Sequence, residues 1–253
     1  MIGKLPKDFS YKCASDLVRI GRDNDGGYLV SKSDIEKSDV LIGLGINDDW
    51  SFERDFKKIK NVEVFAYDAS ISQKKFNKQF IKSLAKIYNP IIALKKLKTT
   101  LSYRHFFSKS KNHHIQKFVG LETDDKNHCT FEQVLDDVIN DNIFLKIDIE
   151  GSEYRFLNDI IANEERITGM VLELHDCDIH LKEIKHFIKK LSLKLVHVHA
   201  NNYAPIRASD GLPLVLELSF SKNCEKFGMP SLPHKLDMPN SKRRAELCLI
   251  IDS

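Results

Sequence analysis

Four short apolar runs, alternating with stretches of helical period, set the narrowest limit on what this chain can fold into. They are Val40–Gly43, Val62–Tyr67, Ile143–Ile147 and Met170–Leu174. Such runs suit strands covered on both faces, and their alternation with helices predicts βα units and a parallel sheet. Three later runs, Lys194–His199, Leu214–Phe220 and Glu246–Ile251, lack useful helices between them, which predicts antiparallel pairing at one edge. The expected fold class is α/β: a seven-stranded, mainly parallel sheet with an antiparallel C-terminal edge.

Helices are predicted at Trp50–Lys58, Thr130–Ile139, Ser152–Ile161 and Ile179–Leu191. Thr130 and Gln133 have the spacing of a capping box, and Ile184, Phe187, Ile188 and Leu191 recur with a helical period. Residues 1–37 form a separate N-terminal segment, in which Arg22-Asp-Asn-Asp-Gly-Gly-Tyr-Leu-Val30 reads as a tight turn leading into a strand. A hairpin accounts for it structurally; a flap over a ligand cleft is the functional reading. Residues 38–253 form the main domain.

Residues 70–117 interrupt the α/β rhythm as one or two basic helices broken at Asn89-Pro90. Between Ala69 and Phe118 stand Lys74, Lys75, Lys78, Lys82, Lys86, Lys95, Lys96, Lys98, Arg104, Lys109, Lys111 and Lys117, with no Asp or Glu. The whole chain of 253 residues is only +3, so this insert is a local positive field that implies an anionic partner. The five cysteines (Cys13, Cys129, Cys177, Cys224 and Cys248) are odd in number and widely spaced. They are read as reduced packing residues, with neither a disulfide framework nor a zinc site. Met1–Ser10 has no apolar h-region, and no run is long enough to span a bilayer, so a cytoplasmic location is the expectation.

Three constellations sit where these strands end. Val40-Leu-Ile-Gly43-Leu-Gly45-Ile46-Asn-Asp48-Asp49-Trp50 carries Gly-x-Gly from a strand into a helix, a pattern that lets backbone approach a ligand and also fits an ordinary βα turn. A dinucleotide site asks for a third glycine where Asp48 stands. Asp48 and Asp49 repel a pyrophosphate but tolerate a cationic nucleoside such as S-adenosylmethionine. Asp68 closes the next strand, where an acid accepts hydrogen bonds from ribose hydroxyls. Phe144-Leu-Lys146-Ile-Asp148-Ile-Glu150-Gly151-Ser-Glu153 gathers polar groups at the tip of a central strand, a placement that costs stability unless they serve something.

This set resembles the FkbM-type methyltransferase family, through its Lys-Ile-Asp-x-Glu-Gly-x-Glu segment at Lys146–Glu153, a Thr-Leu-Asp-like lead-in at Thr130–Leu135, and the loop Gly43–Asp49 with Asp68. The resemblance implies a Rossmann-like class I methyltransferase sheet, S-adenosylmethionine as cofactor, and O-methylation of a carbohydrate or related metabolite, often for a surface polysaccharide. Cofactor contacts are then expected from Gly43, Gly45, Ile46, Asp48, Trp50, Ser51, Asp68, Ala69 and Asp148. His175 or His199 is expected as general base, oriented by Asp148 or Glu150; His197 and His199 alternate onto one strand face. An anionic acceptor such as a phosphate or phosphoramidate oxygen needs no base, and the basic insert offers it a clamp.

Asp148 and Asp176, with Asn201 or Asn202, are oxygen donors of the kind Mg²⁺ takes, but metal is outside the leading reading. His113-His114 is a weaker pair for that purpose. The rival readings are an NAD(P)-dependent oxidoreductase, and a non-enzymatic binder of nucleic acid or an anionic surface through the insert, with nucleic acid the less favoured partner. A homodimer is left open.

Overall fold

The computed structural model describes residues 2–11, 16–85, 89–120, 126–224 and 232–252. Its strands, in chain order, are β1 (Ile2–Leu5), β2 (Leu17–Gly21), β3 (Gly27–Ser31), β4 (Val40–Leu44), β5 (Glu63–Tyr67), β6 (Asn112–Ile115), β7 (Phe118–Val119), β8 (His128–Cys129), β9 (Ile143–Ile147), β10 (Ile167–Leu174), β11 (Lys194–Ala200), β12 (Leu216–Ser221) and β13 (Cys248–Ile251). Its α-helices are α1 (Lys32–Lys37), α2 (Ser51–Ile59), α3 (Gln73–Leu84), α4 (Pro90–Phe107), α5 (Phe131–Asp136), α6 (Leu157–Ala162) and α7 (Leu181–Lys190). Cys13, Lys86 and Tyr88 lie outside the described residues.

The apolar runs become the centre of a seven-stranded sheet of order β11-β12-β10-β9-β4-β5-β6. Every residue of β4, β9 and β10 is buried, as strands covered on both faces must be. Read from the other edge, β6-β5-β4-β9-β10 repeats the 3-2-1-4-5 order of a doubly wound fold, in which the chain reverses direction between β4 and β9. The register brings the strand tips level: Leu44 pairs with Tyr67 and with Ile147, and Ile147 pairs with Leu172. A crevice therefore opens at the carboxyl ends of β4, β5, β9 and β10. The class expected from the sequence, a Rossmann-like α/β sheet that is mainly parallel, is the one observed.

The antiparallel edge is also present, because β12 pairs antiparallel with both β10 and β11. The expected third member of that edge is not. Cys248–Ile251 pairs parallel with Ile2–Leu5 in a separate two-stranded sheet. The seventh strand is β6, parallel to β5 and lying inside the basic insert. Its Asn-His-His-Ile sequence has no apolar alternation to announce a strand. The Ser152–Ile161 helix is also divided, into a 3₁₀ turn at Glu153–Arg155 and α6. The break falls at Phe156, whose buried ring stacks on Phe131 at 4.9 Å.

The insert is a helix pair, as its composition predicts. Ser72 caps α3 through Lys75 N, and Pro90 opens α4. Both helices turn aromatic residues inward. Trp50 meets Phe76, Tyr103 and Phe107 at ring-centroid distances of 6.1, 5.6 and 6.0 Å. Together with Ile46, Ala66, Ile71 and Phe106 they form a small core of their own. The N-terminal segment forms the expected hairpin, β2 against β3, with the turn at Arg22–Gly26.

The satellite core predicts that Phe76→Ala loosens the insert first. The cost is about 3–5 kcal/mol. Urea unfolding followed by fluorescence of Trp50, the one tryptophan, should shift to lower urea than the far-ultraviolet signal of the main sheet. Coincident, unshifted transitions would show that this aromatic cluster does not hold the helices.

Candidate active site

The two glycines of the first loop serve the chain's own packing. Gly45 has φ of +76°, and a Cβ there would stand 1.7 Å from the Asp148 backbone oxygen. A Cβ on Gly43 would stand 2.8 Å from Glu53 Oε1. Only glycine lets the tips of β4 and β9 approach so closely and leaves room for a buried carboxylate. The expected close approach of backbone to ligand is thus replaced, at Gly43, by an approach to Glu53.

Asp68 fastens the loop that follows. Its Oδ2 accepts from Ile46 N at 3.1 Å and Asn47 N at 2.8 Å, and its Oδ1 accepts from Ser70 N at 2.7 Å. A carboxylate has about four acceptor sites, so one remains for a ligand hydroxyl. Lys146 lies beneath, buried, donating to Gly45 O at 2.5 Å and Asp148 Oδ2 at 3.3 Å. Burial pulls its ammonium pKa down, but Asp148, Glu53 and Glu173 reverse that and raise it, so it stays protonated.

A cavity of about 710 Å³ opens above these groups, within the size of a small-molecule site. Of the residues singled out in the sequence, Gly45, Ile46, Asp48, Asp68, Asp148 and Glu150 line it. Gly43, Trp50, Ser51 and Ala69 do not: Trp50 anchors the insert, and Ser51 is bonded to Asp49 by both its N and its Oγ. The hairpin turn reaches the cavity through Arg22, Asp25 and Gly26. Arg22 pairs with Asp49 at 2.8 Å and Asp48 at 3.8 Å, so the acidic pair meets a cation of the hairpin turn.

The cavity lining carries charges of both signs: Glu53, Asp68, Asp148 and Glu173 with Lys75, Lys117, Lys146 and Arg155. Neither Lys117 nor Arg155 has an ion-pair partner among the described residues. Glu53 is 1% exposed and neither of its oxygens has a hydrogen-bond partner. Burial pushes its carboxyl up to about 7, against the pull of Lys146. Burial, then Asp148 and Glu217, also raises Glu173. Tyr28 Oη lies 2.8 Å from Glu173 Oε2 and 3.2 Å from Asp148 Oδ2. Its single proton serves one of them at a time.

The histidines expected as bases have other work. His199 is buried, with Nδ1 on Glu217 at 2.9 Å and Nε2 on Glu246 at 3.1 Å. Burial favours its neutral ring, but Glu217 and Glu246 outweigh it and raise the pKa well above 6.5. A ring that donates through both nitrogens accepts no proton, and it lies off the cavity wall. His175 donates Nδ1 to Glu153 at 3.1 Å and places Nε2 3.4 Å from Glu150. Burial lowers its pKa, but Glu153, Glu173 and Asp148 raise it further, so this ring too is protonated near neutral pH. Both are cations that neutralise carboxylates, because each strand tip adds acids that the local sequence does not reveal.

Asp148, Glu173 and His175 bring three metal-ligand atoms within 4.8 Å of one another, the one such group among the described residues. Both asparagines of the Mg²⁺ set have partners of their own. Asn201 donates to Glu173, and Asn202 ties the loop at Ser241, Arg244 and Ala245. His113 pairs with Glu63 at 2.7 Å, and His114 contacts Asp68 O and Tyr103. Reading the sequence missed Glu53 and Arg155 as cavity residues, named Lys117 only as one of the insert's cations, and left Glu173 without a role. A buried Glu in the first turn of a helix carries no sequence signal that separates it from a solvated one.

No family model matches the chain, and no curated protein matches it in sequence. Solved structures similar to it include precorrin-6y C5,15-methyltransferase from Geobacter metallireducens, at 14% identity over 76% of this chain and 86% of that one, TM-score 0.40. Others are the Methanococcus jannaschii fibrillarin pre-rRNA processing protein, at 12% over 74% and 67%, TM-score 0.36, and M. jannaschii TYW2 in complex with AdoMet, at 10% over 81% and 86%, TM-score 0.35. These likenesses are remote, and the functional reading rests on the cavity.

The buried acid gives a pH signature. A glutamate free in solution titrates near 4.5, whereas Glu53 in the folded chain is pushed up to about 7. Between those values the unfolded chain loses this proton while the folded chain keeps it, so Glu53 lowers stability as pH rises through that window. Glu53→Gln should therefore stabilise the protein at pH 8 relative to pH 4, by roughly 3 kcal/mol. Urea midpoints at the two pH values measure it, and an equal effect at both would show that folding leaves this carboxyl's pKa unshifted.

Proposed function

We propose that this chain is an S-adenosylmethionine-dependent O-methyltransferase of the FkbM type. Its acceptor is a small anionic or phosphorylated metabolite, such as a carbohydrate precursor of a bacterial surface polysaccharide, with a phosphoramidate among the fitting groups. The observation that carries the reading is the cavity at the strand tips, whose lining combines the acids Asp68, Glu53 and Asp148 with the cations Lys75, Lys117 and Arg155. The Lys146–Glu153 resemblance supports the subtype, and the cation-rich insert supports an anionic acceptor.

Bound S-adenosylmethionine supplies a methyl group already activated on a cationic sulfur, so the protein's work is alignment. In this reading Asp68 accepts from one ribose hydroxyl, and Glu53 and Asp148 face the cationic end of the cofactor. Lys75, Lys117 and Arg155 hold the acceptor's negative charge. With His175 and His199 both protonated, no imidazole base is assigned. An acceptor oxygen that is already anionic needs none, which favours a phosphate-type oxygen over an alcohol. Glu150, at the cavity rim with φ of +55°, is placed to orient the acceptor.

Titration calorimetry with S-adenosylhomocysteine and with NADH, on protein freed of carried-over ligand, tests this. Heat is expected with the nucleoside thioether alone. Asp68→Asn should weaken it about tenfold or more, the worth of a hydrogen bond to a charged group. Lys117→Ala with Arg155→Ala should leave that affinity within about twofold while removing binding of inorganic pyrophosphate, since phosphate contacts of this kind are charge-assisted. No heat with S-adenosylhomocysteine, or tighter binding of NADH, would overturn the proposal.

A further inference from the structure

The outer face of the α3–α4 pair is unlike the rest of the surface. Ile81, Leu84, Ile91, Ile92, Leu94 and Leu101 are all exposed, with Leu94 at 66%. On α4, Ile91, Leu94 and Leu101 recur at i, i+3 and i+10, with exposed Lys98 at i+7, so they lie along one face. Exposed Lys95 and Arg104 flank that line. On α3, exposed Lys74, Lys78 and Lys82 accompany Ile81 and Leu84. Among the described lysines and arginines of these two helices, Lys96 alone meets a carboxylate, Asp48 at 3.9 Å. Aliphatic side chains in solvent, set in an unneutralised field of lysines, remain without a partner inside the chain.

We infer that the α3–α4 face lies on an anionic lipid surface. Aliphatic tips enter the boundary of the acyl chains while lysine stems extend along it and carry their ammonium groups to the headgroups. The 18 residues of α4 make a rod of about 27 Å that lies in the interface plane. Among the described residues no helix is long and apolar enough to cross a bilayer, so the contact is peripheral. Charge selects this occupant. A second copy meeting the same face would set lysines against lysines, since a two-fold contact pairs a patch with itself. Nucleic acid fits less well, because the aromatic rings able to stack on bases (Phe76, Tyr103 and Phe106) are buried inward. The inference stands whatever the cavity binds.

Flotation of the full chain tests it, using phosphatidylcholine vesicles with and without phosphatidylglycerol. Binding is expected only with the anionic lipid, and salt should reverse it. Leu94→Ser with Leu101→Ser, two exposed positions, should lower the partition coefficient about tenfold or more at unchanged melting temperature. Lys95→Gln and Lys98→Gln should each lower it about fivefold. Absence of binding to anionic vesicles at low salt overturns the inference. So does binding unchanged by the two serines, which marks a general cation effect. Tighter capture by single-stranded nucleic acid overturns it as well, and so does a dimer that the serines dissolve in protein that ignores vesicles.

Discussion

The buried ammonium of Lys146 is the contact on which the strand tips depend. It joins the Gly45 carbonyl at the end of β4 to the Asp148 carboxylate at the end of β9. Between these tips the chain reverses its winding, and there the crevice opens. Glu53 and Glu173 stand close enough to hold the ammonium charged despite burial. A lone charge in such a place is costly, and removal of one partner leaves the others uncompensated. Lys146, Glu53, Asp148 and Glu173 therefore act as one unit, with Tyr28 sharing its hydroxyl between two of the acids.

Around that unit, distant parts of the chain are fastened by polar contacts. Asn24 in the hairpin turn donates to Pro239 O at 2.7 Å, and Asn240 donates to Glu217 at 2.6 Å. His197 meets Asp237 at 2.9 Å, and His199 bridges Glu217 to Glu246. The two histidines of β11 thus bind the C-terminal segment to the sheet. The hairpin turn, which supplies Arg22, Asp25 and Gly26 to the cavity, is latched to that same segment.

The sheet was legible because its central strands are buried on both faces, and unbroken apolar runs have few other uses. The capping box at Thr130 and Gln133 was legible because it is local, and both its hydrogen bonds form. β6 was hidden by its polar sequence, and β13 was misplaced because an apolar run states burial without naming its neighbour. At the site, Asp68 and Asp148 could be read from their position at strand ends. The state of His199 could not, since its partners Glu217 and Glu246 are 18 and 47 residues away. At Gly43 and Gly45 the missing Cβ atoms also make room for Glu53 and for the Asp148 carbonyl, partners that the local sequence does not name.

The polarity that hid β6 has a benefit for the molecule. An open sheet ends in unpaired amides and carbonyls, which can recruit a strand from another chain. Here that rim is four residues long, and its imidazoles are already engaged with Glu63, Phe65 and Tyr103. A short border of this kind is a poor template for cross-chain pairing on the β6 side of the sheet, whose opposite rim is the seven-residue β11.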